Sequence, residues 1–545
     1  MSDITDRKDK NEDRGDAVSS RENSQWGLDK TRPAGQPGSV PAEGDKSMPP
    51  ILRVRRDIVP EPKFSFETPP DPIPEKDIKQ TISADVIVVG AGVAGMSATL
   101  AAVEAGAKVI LIEKMRTFQA RGYDNAFIGS RLQNKLGIKI DANEVVLNLM
   151  KYGANKPDQR LIRMWAEGSG ETADWLLDMT DAAGIELILH QYPPPAAFNN
   201  ANEYYPQYLV THTCKNEGMV VQCLMDNALK KGAVIHFDTR AKQLIKNETG
   251  GIAGVIAQNT DKEYIKYMAK AVILCTGDYG YNSEMMAKYC SHVAYLPSTI
   301  STSTGDGHIM AMWAGAMMER APHAPISHGF AGPLGNVAFL QVNLRGERFH
   351  NEDVPGQSYA NAIERQPGQA AWQVFDSKYA RELKYMGIGH GKTYDATKVD
   401  SPDFTLSGLL DKMALKADTI EDLAQKMGIP VSSFKATVDR YNHLARLGKD
   451  LDFGKRSDRL TTLDTPPFYA GKGRYHLLCI MGGIMVNTRL EALDKDWNPI
   501  HGLYMAGNTM GGRFAVDYPT MTPGVSHGMC IHFGRLAGTN AAALR

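Results

Sequence analysis

Three glycines near residue 90 have the spacing of a binding site for a phosphate-bearing ligand. Gly90, Gly92 and Gly95 form a GxGxxG pattern between the β-branched run Val86–Val89 and an alanine-rich segment. This order predicts a buried strand, a tight turn and a helix. The first glycine permits the bend, the second lets the backbone approach a pyrophosphate, and the third lets helix and strand pack closely. The free N–H groups of the helix N-terminus would then face the phosphates.

An acidic residue follows at the distance expected for a nucleotide ribose. A second predicted strand, Val109–Ile112, ends at Glu113, about 20 residues after the glycines. Its carboxylate can hold ribose hydroxyls, and Glu in place of Arg disfavours a 2′-phosphate. Lys114 is interpreted either as a solvated charge or as a second contact near the adenosine. A lone GxGxxG often marks only a close-packed turn, but within this βαβ unit it predicts dinucleotide binding.

A second glycine turn lies near the C-terminus. Residues 501–508, HGLYMAGN, have the pattern of a strand that runs into a glycine turn, and residues 533–538, FGRLAG, lie on a predicted last helix. A dehydrogenase that binds NAD in a single Rossmann domain would not explain this C-terminal segment. The segment therefore favours a cofactor site built from both ends of the chain.

Six motifs follow one another in a recognisable order. They are the GxGxxG turn with its acidic residue, AVILCTGDY at 271–279, TGDG at 304–307, NLRGERFHNE at 343–352, MGG at 481–483 and GLYMAGN at 502–508. The set resembles the fumarate reductase/succinate dehydrogenase flavoprotein superfamily, which also includes 3-ketosteroid dehydrogenases and many bacterial ene-reductases. The resemblance covers about residues 84–545 and implies that the cofactor is FAD.

The resemblance also implies further FAD contacts at Thr276, Gly277, Asp306, Gly507 and Asn508. Plain structural interpretations stay open: Thr276 and Gly277 could close a strand, and Asp306 could cap the helix that follows. Some membrane-bound relatives attach FAD covalently through a histidine after the second strand. Residues 114–131 contain no histidine, so non-covalent FAD is expected.

The elements that must position these residues are predicted to form an α/β fold. The resemblance implies a Rossmann-like FAD-binding domain that is split in sequence, with an inserted α+β capping domain. The predicted parts are 81–318 and 473–545 for the FAD-binding domain and 319–472 for the capping domain. Residues 1–80 are predicted to be a disordered or extended N-terminal arm, because residues 1–50 are rich in charge and poor in apolar groups and prolines recur between 60 and 74.

The residues that bind a dicarboxylate in fumarate reductases do not carry over. The resemblance places a capping-domain Arg at Gly356, a His at Leu478 and a second Arg at Tyr518. Without two guanidiniums, the chain lacks the bidentate clamps that a dicarboxylate needs. Fumarate itself is therefore not the expected substrate.

Tyr518 is the first catalytic candidate. In 3-ketosteroid dehydrogenases the same loop position carries Tyr-Pro, and here Tyr518 precedes Pro519. A tyrosine hydroxyl can hydrogen-bond a ketone oxygen or move a proton at the neighbouring carbon. The alternative is that the ring packs against the cofactor or under the capping domain.

Other candidates are weaker. Arg513 could anchor an anionic group or pair with Asp517, and Tyr359 could reach from the capping domain to replace the missing arginine. His527 could contact the flavin, but the favoured interpretation is a structural histidine whose ring nitrogens are hydrogen-bonded within the protein. The aromatic residues Tyr192, Tyr204, Tyr205 and Tyr208 predict either a pocket for a flat ring system or a surface loop.

The charge balance, the cysteine spacing and the apolar stretches of the chain exclude several classes of protein. The chain has 61 Lys and Arg against 62 Asp and Glu, so nothing predicts binding to nucleic acid. Its six cysteines lack CxxC spacing, which predicts neither a metal site nor a disulfide framework and favours a reducing, cytoplasmic setting. The uncharged stretch 86–103 is long enough for a membrane span, but its composition predicts strand, turn and helix instead.

These observations together predict an FAD-dependent oxidoreductase of the CH–CH class. Hydride would pass between flavin N5 and the activated C=C bond of a small-molecule enone or α,β-unsaturated carbonyl, with steroid-like and aromatic compounds among the candidates. The reductase direction is favoured, with a separate electron donor or acceptor. Three alternatives remain: a 3-ketosteroid dehydrogenase that introduces a C=C bond, a fumarate reductase-like enzyme acting on a carboxylate, and a flavin-binding protein without turnover.

Overall fold

A computed structural model describes residues 63–122, 124–190, 208–214, 216–327, 331–392, 398–401, 404–473 and 475–544. The first 62 residues of the predicted N-terminal arm, and three of the four clustered tyrosines (192, 204 and 205), lie outside these ranges. The strands are β1 (Ile78–Ser83), β2 (Val86–Val89), β3 (Val109–Ile112), β4 (Asp124–Ala126), β5 (Ile188–Leu189), β6 (Thr211–Thr213), β7 (Val234–His236), β8 (Arg240–Lys246), β9 (Ile252–Gln258), β10 (Tyr264–Met268), β11 (Ala271–Leu274), β12 (Pro325–Ile326), β13 (Gly335–Val337), β14 (Leu340–Asn343), β15 (Ala371–Asp376), β16 (Gly387–Lys392), β17 (Leu415–Ala417), β18 (Phe468–Lys472), β19 (Cys479–Ile480), β20 (Glu491–Leu493) and β21 (Pro499–Met505). The helices are α1 (Val93–Glu104), α2 (Arg131–Lys135), α3 (Ala142–Tyr152), α4 (Gln159–Ala182), α5 (Glu217–Lys230), α6 (Ser283–Tyr289), α7 (Asp306–Trp313), α8 (Gly356–Glu364), α9 (Tyr379–Met386), α10 (Ser407–Met413), α11 (Ile420–Met427), α12 (Val431–Leu447) and α13 (Val525–Ala542).

A six-stranded sheet carries both glycine turns. Its strand order is β20-β21-β11-β2-β3-β7, and every neighbouring pair is parallel except β20 with β21. Strands β2 and β3 occupy the predicted residues, and all their side chains are buried. Parallel strands covered on both faces read as continuous apolar runs, which is the pattern seen here. Because β21 pairs with β11, a strand near the C-terminus joins the same sheet as strands from the first half of the chain.

Helices α1 and α13 pack closely against each other through small residues. A Cβ atom at Gly534 would collide with the carbonyl oxygen of Ala94, and one at Gly538 would collide with that of Ala98. Close approach of the two backbones therefore requires glycine at both positions. Helix α13, at the C-terminal end of the described chain, is held in this way against the first helix after the GxGxxG turn.

Smaller sheets complete the mixed helix and strand fold. Two four-stranded sheets have the orders β1-β10-β9-β8 and β14-β15-β18-β17, and a three-stranded sheet has the order β4-β6-β5. The largest hydrophobic core draws its buried side chains from residues 86–326 and 479–541. Two further cores draw theirs from residues 331–470. The middle third of the described chain thus has apolar cores of its own.

Residues before the first strand also pack against the fold. Phe66 is buried beside Tyr289, with ring centroids 6.2 Å apart, and Glu67 pairs with Lys288 at 2.6 Å. Strand β1 then extends the sheet by pairing in parallel with β10.

Candidate functional site

The carboxyl ends of four parallel strands meet at one groove of about 760 Å³. The residues that follow β2, β3, β11 and β21 line it, among them Gly90, Glu113, Thr276 and Gly507. In an open α/β sheet this edge is where ligands bind, because the loops there leave a crevice and the following helices point their N-termini into it. The structure therefore brings together residues that are more than 400 positions apart in sequence.

The three glycines have different geometric roles. Gly90 has φ +106°, and a Cβ there would collide with the backbone of Cys275. A Cβ at Gly95 would collide with the carbonyl oxygen of Gly90, so this glycine allows helix α1 to approach the turn. Gly92 is different: its Cβ position has no atom within 4 Å and it lines the groove. The open space over Gly92 is what a pyrophosphate would fill at the start of α1.

Glu113 is fixed at the end of β3. One carboxylate oxygen accepts a hydrogen bond from Ala91 N–H at 2.7 Å, and the other accepts one from Met115 N–H at 2.8 Å. The side chain is 7% exposed and lines the groove. Each oxygen retains a further lone pair, so the carboxylate can also accept hydrogen bonds from ribose hydroxyls.

Lys114 and Asp306 belong to one charged network beside the groove. The Lys114 ammonium donates to Thr304 Oγ1 at 2.8 Å and to Asp306 at 3.2 Å, and Arg240 donates to Asp306 at 2.9 and 3.1 Å. Burial opposes ionisation of Asp306, but Arg240 and Lys114 hold its pKa below the ordinary value. Lys114 and Asp306 also line a neighbouring cavity of about 330 Å³. Lys114 is thus paired with a carboxylate.

The interpretation of Asp306 as a helix cap is wrong in detail. Gly305, with φ +74°, is the N-cap residue of α7, and Asp306 is the first helical residue. The left-handed backbone at the N-cap favours glycine, and the Asp306 carboxylate contacts the cations of Lys114 and Arg240.

Thr276 and Gly277 line the groove where β11 ends. Thr276 Oγ1 accepts a hydrogen bond from Gly307 N–H at 3.1 Å and lies 3.1 Å from Thr509 Oγ1. Gly277 has φ +79°, with nothing within 4 Å of its Cβ position. These residues therefore end the strand and also face the groove. All the predicted cofactor-binding residues except Gly95 line either the groove or the adjoining cavity.

The groove fits a dinucleotide such as FAD. It combines an open backbone at Gly92, a helix N-terminus at α1 and a fixed carboxylate at Glu113, which suit a pyrophosphate and a ribose. The remaining part of the groove is lined by Gln119, Asn508 and Cys530, among others, and leaves room for a further ring system.

Arg513 lies behind the C-terminal glycine turn. Its guanidinium is 1% exposed and donates to the carbonyl of Gly507 at 2.8 Å and to Asn508 Oδ1 at 3.2 Å. Both acceptors belong to residues that line the groove. The structure pairs Arg513 with this turn, whereas Asp517, its suggested partner, contacts Asn361 at 2.8 Å.

Tyr518 is buried and is not among the residues that line the groove. It is 5% exposed, packs near the ring of Phe514, and its hydroxyl oxygen accepts a hydrogen bond from Ser526 N–H at 3.4 Å. Burial raises the pKa of the hydroxyl well above the ordinary value. At neutral pH the group therefore keeps its proton and can donate a hydrogen bond.

Tyr359 lies in a separate core. It is fully buried in helix α8, and its hydroxyl lies against the carbonyls of Val337, at 3.1 Å, and Glu352. Gly356 is also buried, and a Cβ there would lie 2.6 Å from Asn336 Nδ2. The structure does not place Tyr359 among the groove residues.

Two residues that no local motif marks also line the groove. Arg121 pairs with buried Asp278 at 2.9 Å, and His527 occupies the first turn of α13. His527 Nδ1 is buried without a hydrogen-bond partner among the described residues. A purely structural histidine would be expected to have both ring nitrogens hydrogen-bonded, so the unpartnered Nδ1 argues against that interpretation of His527. The ion-pair partner of Arg121, Asp278, directly follows Thr276 and Gly277 in the sequence. That position, next to two predicted cofactor contacts, is the signal that could have indicated a charged partner here.

The described ranges contain no cluster of three or more His, Cys, Asp or Glu side chains able to hold a metal ion. None of their helices is both long and apolar enough to span a bilayer.

Comparisons with known proteins connect this groove to flavoenzymes. The family described as FAD binding domain matches residues 85–520. The chain is 30% identical over 492 residues to the vinyl phenol reductase of Lactiplantibacillus plantarum, covering 84% of this chain and 96% of the relative. It is also 30% identical over 481 residues to a fumarate reductase (cytochrome) of Shewanella frigidimarina, covering 84% and 77%. The solved 3-ketosteroid-delta4-(5alpha)-dehydrogenase of Rhodococcus jostii RHA1, at 24% identity, shares the fold with a TM-score of 0.68, covering 85% of this chain and 97% of that one.

Proposed function

The chain belongs to the FAD binding domain family, and from that membership we propose that it is an oxidoreductase that reduces the activated C=C bond of an enone or another α,β-unsaturated carbonyl. Bound FAD, held without a covalent link, would supply hydride exchange at its N5 atom. The observation that carries the proposal is the groove, where strand ends from both halves of the chain present the residues that a dinucleotide requires. Electrons would come from a separate donor.

The polarity of the site favours an uncharged carbonyl over a dicarboxylate. No arginine occupies position 356 or 518, and a Cβ atom at Gly356 would lie 2.6 Å from the Asn336 amide nitrogen, so a side chain there would require Asn336 to move. Arg513 already donates to Gly507 and Asn508. A dicarboxylate would therefore lack the paired guanidiniums that balance its charge.

Tyr518 suits the role of polarising the carbonyl oxygen. A tyrosine keeps its proton at neutral pH at its ordinary pKa, and burial raises the pKa of Tyr518 further. A hydrogen bond from this hydroxyl would stabilise the negative charge that develops on the oxygen as the double bond is reduced. The same protonated state disfavours Tyr518 as the base that a dehydrogenase needs to remove an α proton.

We further propose that the cofactor domain is split as 81–318 and 473–545, around a capping domain at 319–472. The distribution of the apolar cores supports these boundaries, because the largest core uses residues from both flanking parts and two other cores use residues 331–470. A capping domain with its own cores can exclude water from the groove without sharing the packing of the cofactor domain.

A 3-ketosteroid dehydrogenase is the second candidate, because Tyr518-Pro519 has the loop position of the Tyr-Pro in those enzymes, although the segment that follows is longer, and a ketosteroid dehydrogenase shares the fold. Such an enzyme would run the reaction in the oxidative direction on a saturated steroid ketone. A carboxylate reductase and a flavin-binding protein without turnover are the remaining candidates.

Anaerobic spectroscopy separates these candidates. The purified protein is photoreduced and mixed separately with 2-cyclohexenone, progesterone and fumarate, while the absorbance of oxidised flavin is followed. Rapid reoxidation by either enone, with fumarate slow, is the expected result. Fast reoxidation by fumarate would assign a carboxylate reductase. Bleaching of the oxidised protein by a saturated steroid ketone would assign the dehydrogenase, and no response in either direction would assign a protein without turnover.

A further inference from the structure

A half-buried histidine in the wall of the groove lies close to a buried glutamate. His527 lines the groove from the first turn of α13, and Glu217 begins helix α5. His527 Nδ1 lies 3.8 Å from Glu217 Oε1, and the two side chains are 19% and 2% exposed. Neither atom has a hydrogen-bond partner among the described residues. A shift of about 1 Å would join them in a hydrogen bond of ordinary length.

Glu217 is held as a neutral acid. Burial raises its pKa to about 8, with a smaller contribution from the charge of Asp124, while a hydrogen bond from Asn125 opposes the shift. That bond, from Asn125 Nδ2 to Glu217 Oε2 at 3.0 Å, occupies the oxygen that faces away from His527. The carboxyl group therefore keeps a proton at neutral pH and can present it from Oε1 to the imidazole.

His527 is neutral and restricted in orientation. Burial lowers its pKa to about 4, and nearby Arg121 acts in the same direction while Asp124 opposes it. A Cβ at Gly122 would lie 3.2 Å from His527 Cε1, so the ring is enclosed on that side too. The charged and titratable groups that face the ring are Glu217 on α5, Asp124 on β4 and Arg121 in the preceding loop.

We propose that His527 is a catalytic residue that donates a proton from Nε2 to the substrate carbon, and that Glu217 is the positioning residue that keeps the imidazole protonated at Nε2. The proposal rests on the proposed reduction of a C=C bond. It complements Tyr518, which acts on the carbonyl oxygen, whereas His527 acts on carbon. When the Glu217 carboxyl group donates a hydrogen bond to Nδ1, Nδ1 acts as the acceptor and carries no proton of its own. The neutral imidazole is then protonated at Nε2, the nitrogen that can face the groove.

The step balances in protons. As the new C–H bond forms, the Nε2–H bond of His527 breaks, and Nδ1 takes the proton of Glu217 Oε1. His527 remains neutral throughout, and Glu217 is left as a carboxylate. Glu217 recovers its proton from water before the next turnover. The hydride, which carries both electrons, would come from reduced FAD and add to the neighbouring carbon.

Three variants separate this role from simple packing. His527→Gln removes the donor, Glu217→Leu removes both the proton and the hydrogen bond, and Glu217→Gln keeps a donor to Nδ1 but has no acidic proton to transfer. His532→Gln is the matched control, because His532 is another buried histidine on α13 that does not line the groove. FAD absorbance shows whether each variant still binds the cofactor.

Anaerobic reoxidation by 2-cyclohexenone is the first measurement. We expect His527→Gln, Glu217→Gln and Glu217→Leu to slow it by about 100- to 10,000-fold, the usual range for a positioned acid. His532→Gln should react at the wild-type rate. A normal rate in His527→Gln or in Glu217→Gln would overturn the proposal.

The second measurement does not depend on turnover. The oxidised holoenzyme is labelled with ¹⁵N-histidine, and the His527 signals are assigned by their loss in His527→Gln. We expect the Nε2–H tautomer in the wild type and in Glu217→Gln, and a loss of that preference in Glu217→Leu. An Nδ1–H tautomer in the wild type would overturn the proposal. If no enone reoxidises the wild type, the proposed function fails, while the tautomer still decides whether Glu217 orients His527.

Discussion

A side chain added at Gly92 would compete directly with the cofactor for space. Its Cβ position is open in the protein but points into the groove. We predict that Gly92→Val abolishes FAD binding, because the side chain would occupy the place of the pyrophosphate while the fold remains intact. The measurement is the flavin absorbance of the purified variant alongside its circular dichroism.

Gly408 provides the control for that experiment. It is exposed in helix α10, has no atom within 4 Å of its Cβ position, and lies outside the groove. Gly408→Val should therefore stay yellow. A yellow Gly92→Val protein would contradict the placement of the pyrophosphate at this glycine.

Tyr518 tests the proposed polarisation of the carbonyl. We predict that Tyr518→Phe keeps FAD and lowers the rate of reoxidation by 2-cyclohexenone by about 100- to 1,000-fold, the usual effect of removing one such hydrogen-bond donor. The ring and its packing near Phe514 are preserved in this variant, so stability should change little. Stopped-flow absorbance measures the rate, and an unchanged rate would remove Tyr518 from the mechanism.

At the scale of elements, the site depends on parallel strands ending at the same edge. Strands β2, β11 and β21 are neighbours, and each is followed by a turn with a positive-φ glycine: Gly90, Gly277 and Gly507. These turns expose backbone in place of side chains, so a flat cofactor can lie close to the sheet. The close packing of α1 against α13 keeps the first and last of the turns together.

Glu319, at the predicted domain boundary, is hydrogen-bonded to two glycine-containing loops, at Gly483 and Gly512. Ionisation of its carboxyl group should make the free energy of unfolding depend on pH. Its carboxylate accepts a hydrogen bond from Gly512 N–H at 3.1 Å, and burial raises its pKa to about 7, although backbone donors and Arg513 oppose the shift. The folded state then binds the proton more tightly than the unfolded state. This contribution to stability is complete below about pH 4.5 and is lost as the pH rises through 7.

We predict that Glu319→Gln gains stability relative to the wild type as the pH rises from 5 to 8. The gain between these two pH values should be about 2.5 kcal/mol, since the glutamine cannot ionise. Urea unfolding at both pH values measures it. A difference between the two proteins that is the same at pH 5 and pH 8 would show that Glu319 does not titrate in this range.

At the scale of the whole molecule, the cofactor should act as a link between the two halves of the chain. Residues from both ends of the chain, Gly90 and Asn508 among them, line one groove, so a bound dinucleotide would contact both halves. We predict that FAD added to stripped protein at 100 times its Kd stabilises the fold by about 2.7 kcal/mol. Thermal unfolding with FAD, and with NAD⁺ as the control, measures this. Equal stabilisation by NAD⁺ would contradict an FAD site.

The local part of the cofactor site could be predicted from sequence. Strands β2 and β3 and the turn at Gly90 lie at the predicted residues, because an apolar β-branched run, a glycine turn and an alanine-rich helix are all properties of neighbouring residues. The FAD binding family and its CH–CH chemistry were also predicted, from ordered motifs that the comparisons match. The proposed roles of Tyr518 and Arg513 remain predictions.

Only the tertiary structure decided which distant side chains meet. Nothing near Lys114 in the sequence indicates its pairing with Asp306, and nothing near Glu217 indicates that it faces His527, 310 positions away. Likewise, His527 carries no local sign that its Nδ1 lacks a partner. Strand and turn propensities arise from contacts between neighbours along the chain, so a sequence displays them directly. Burial, charge pairing and the state of a proton arise from contacts across the fold, which exist only once the strands and helices have packed.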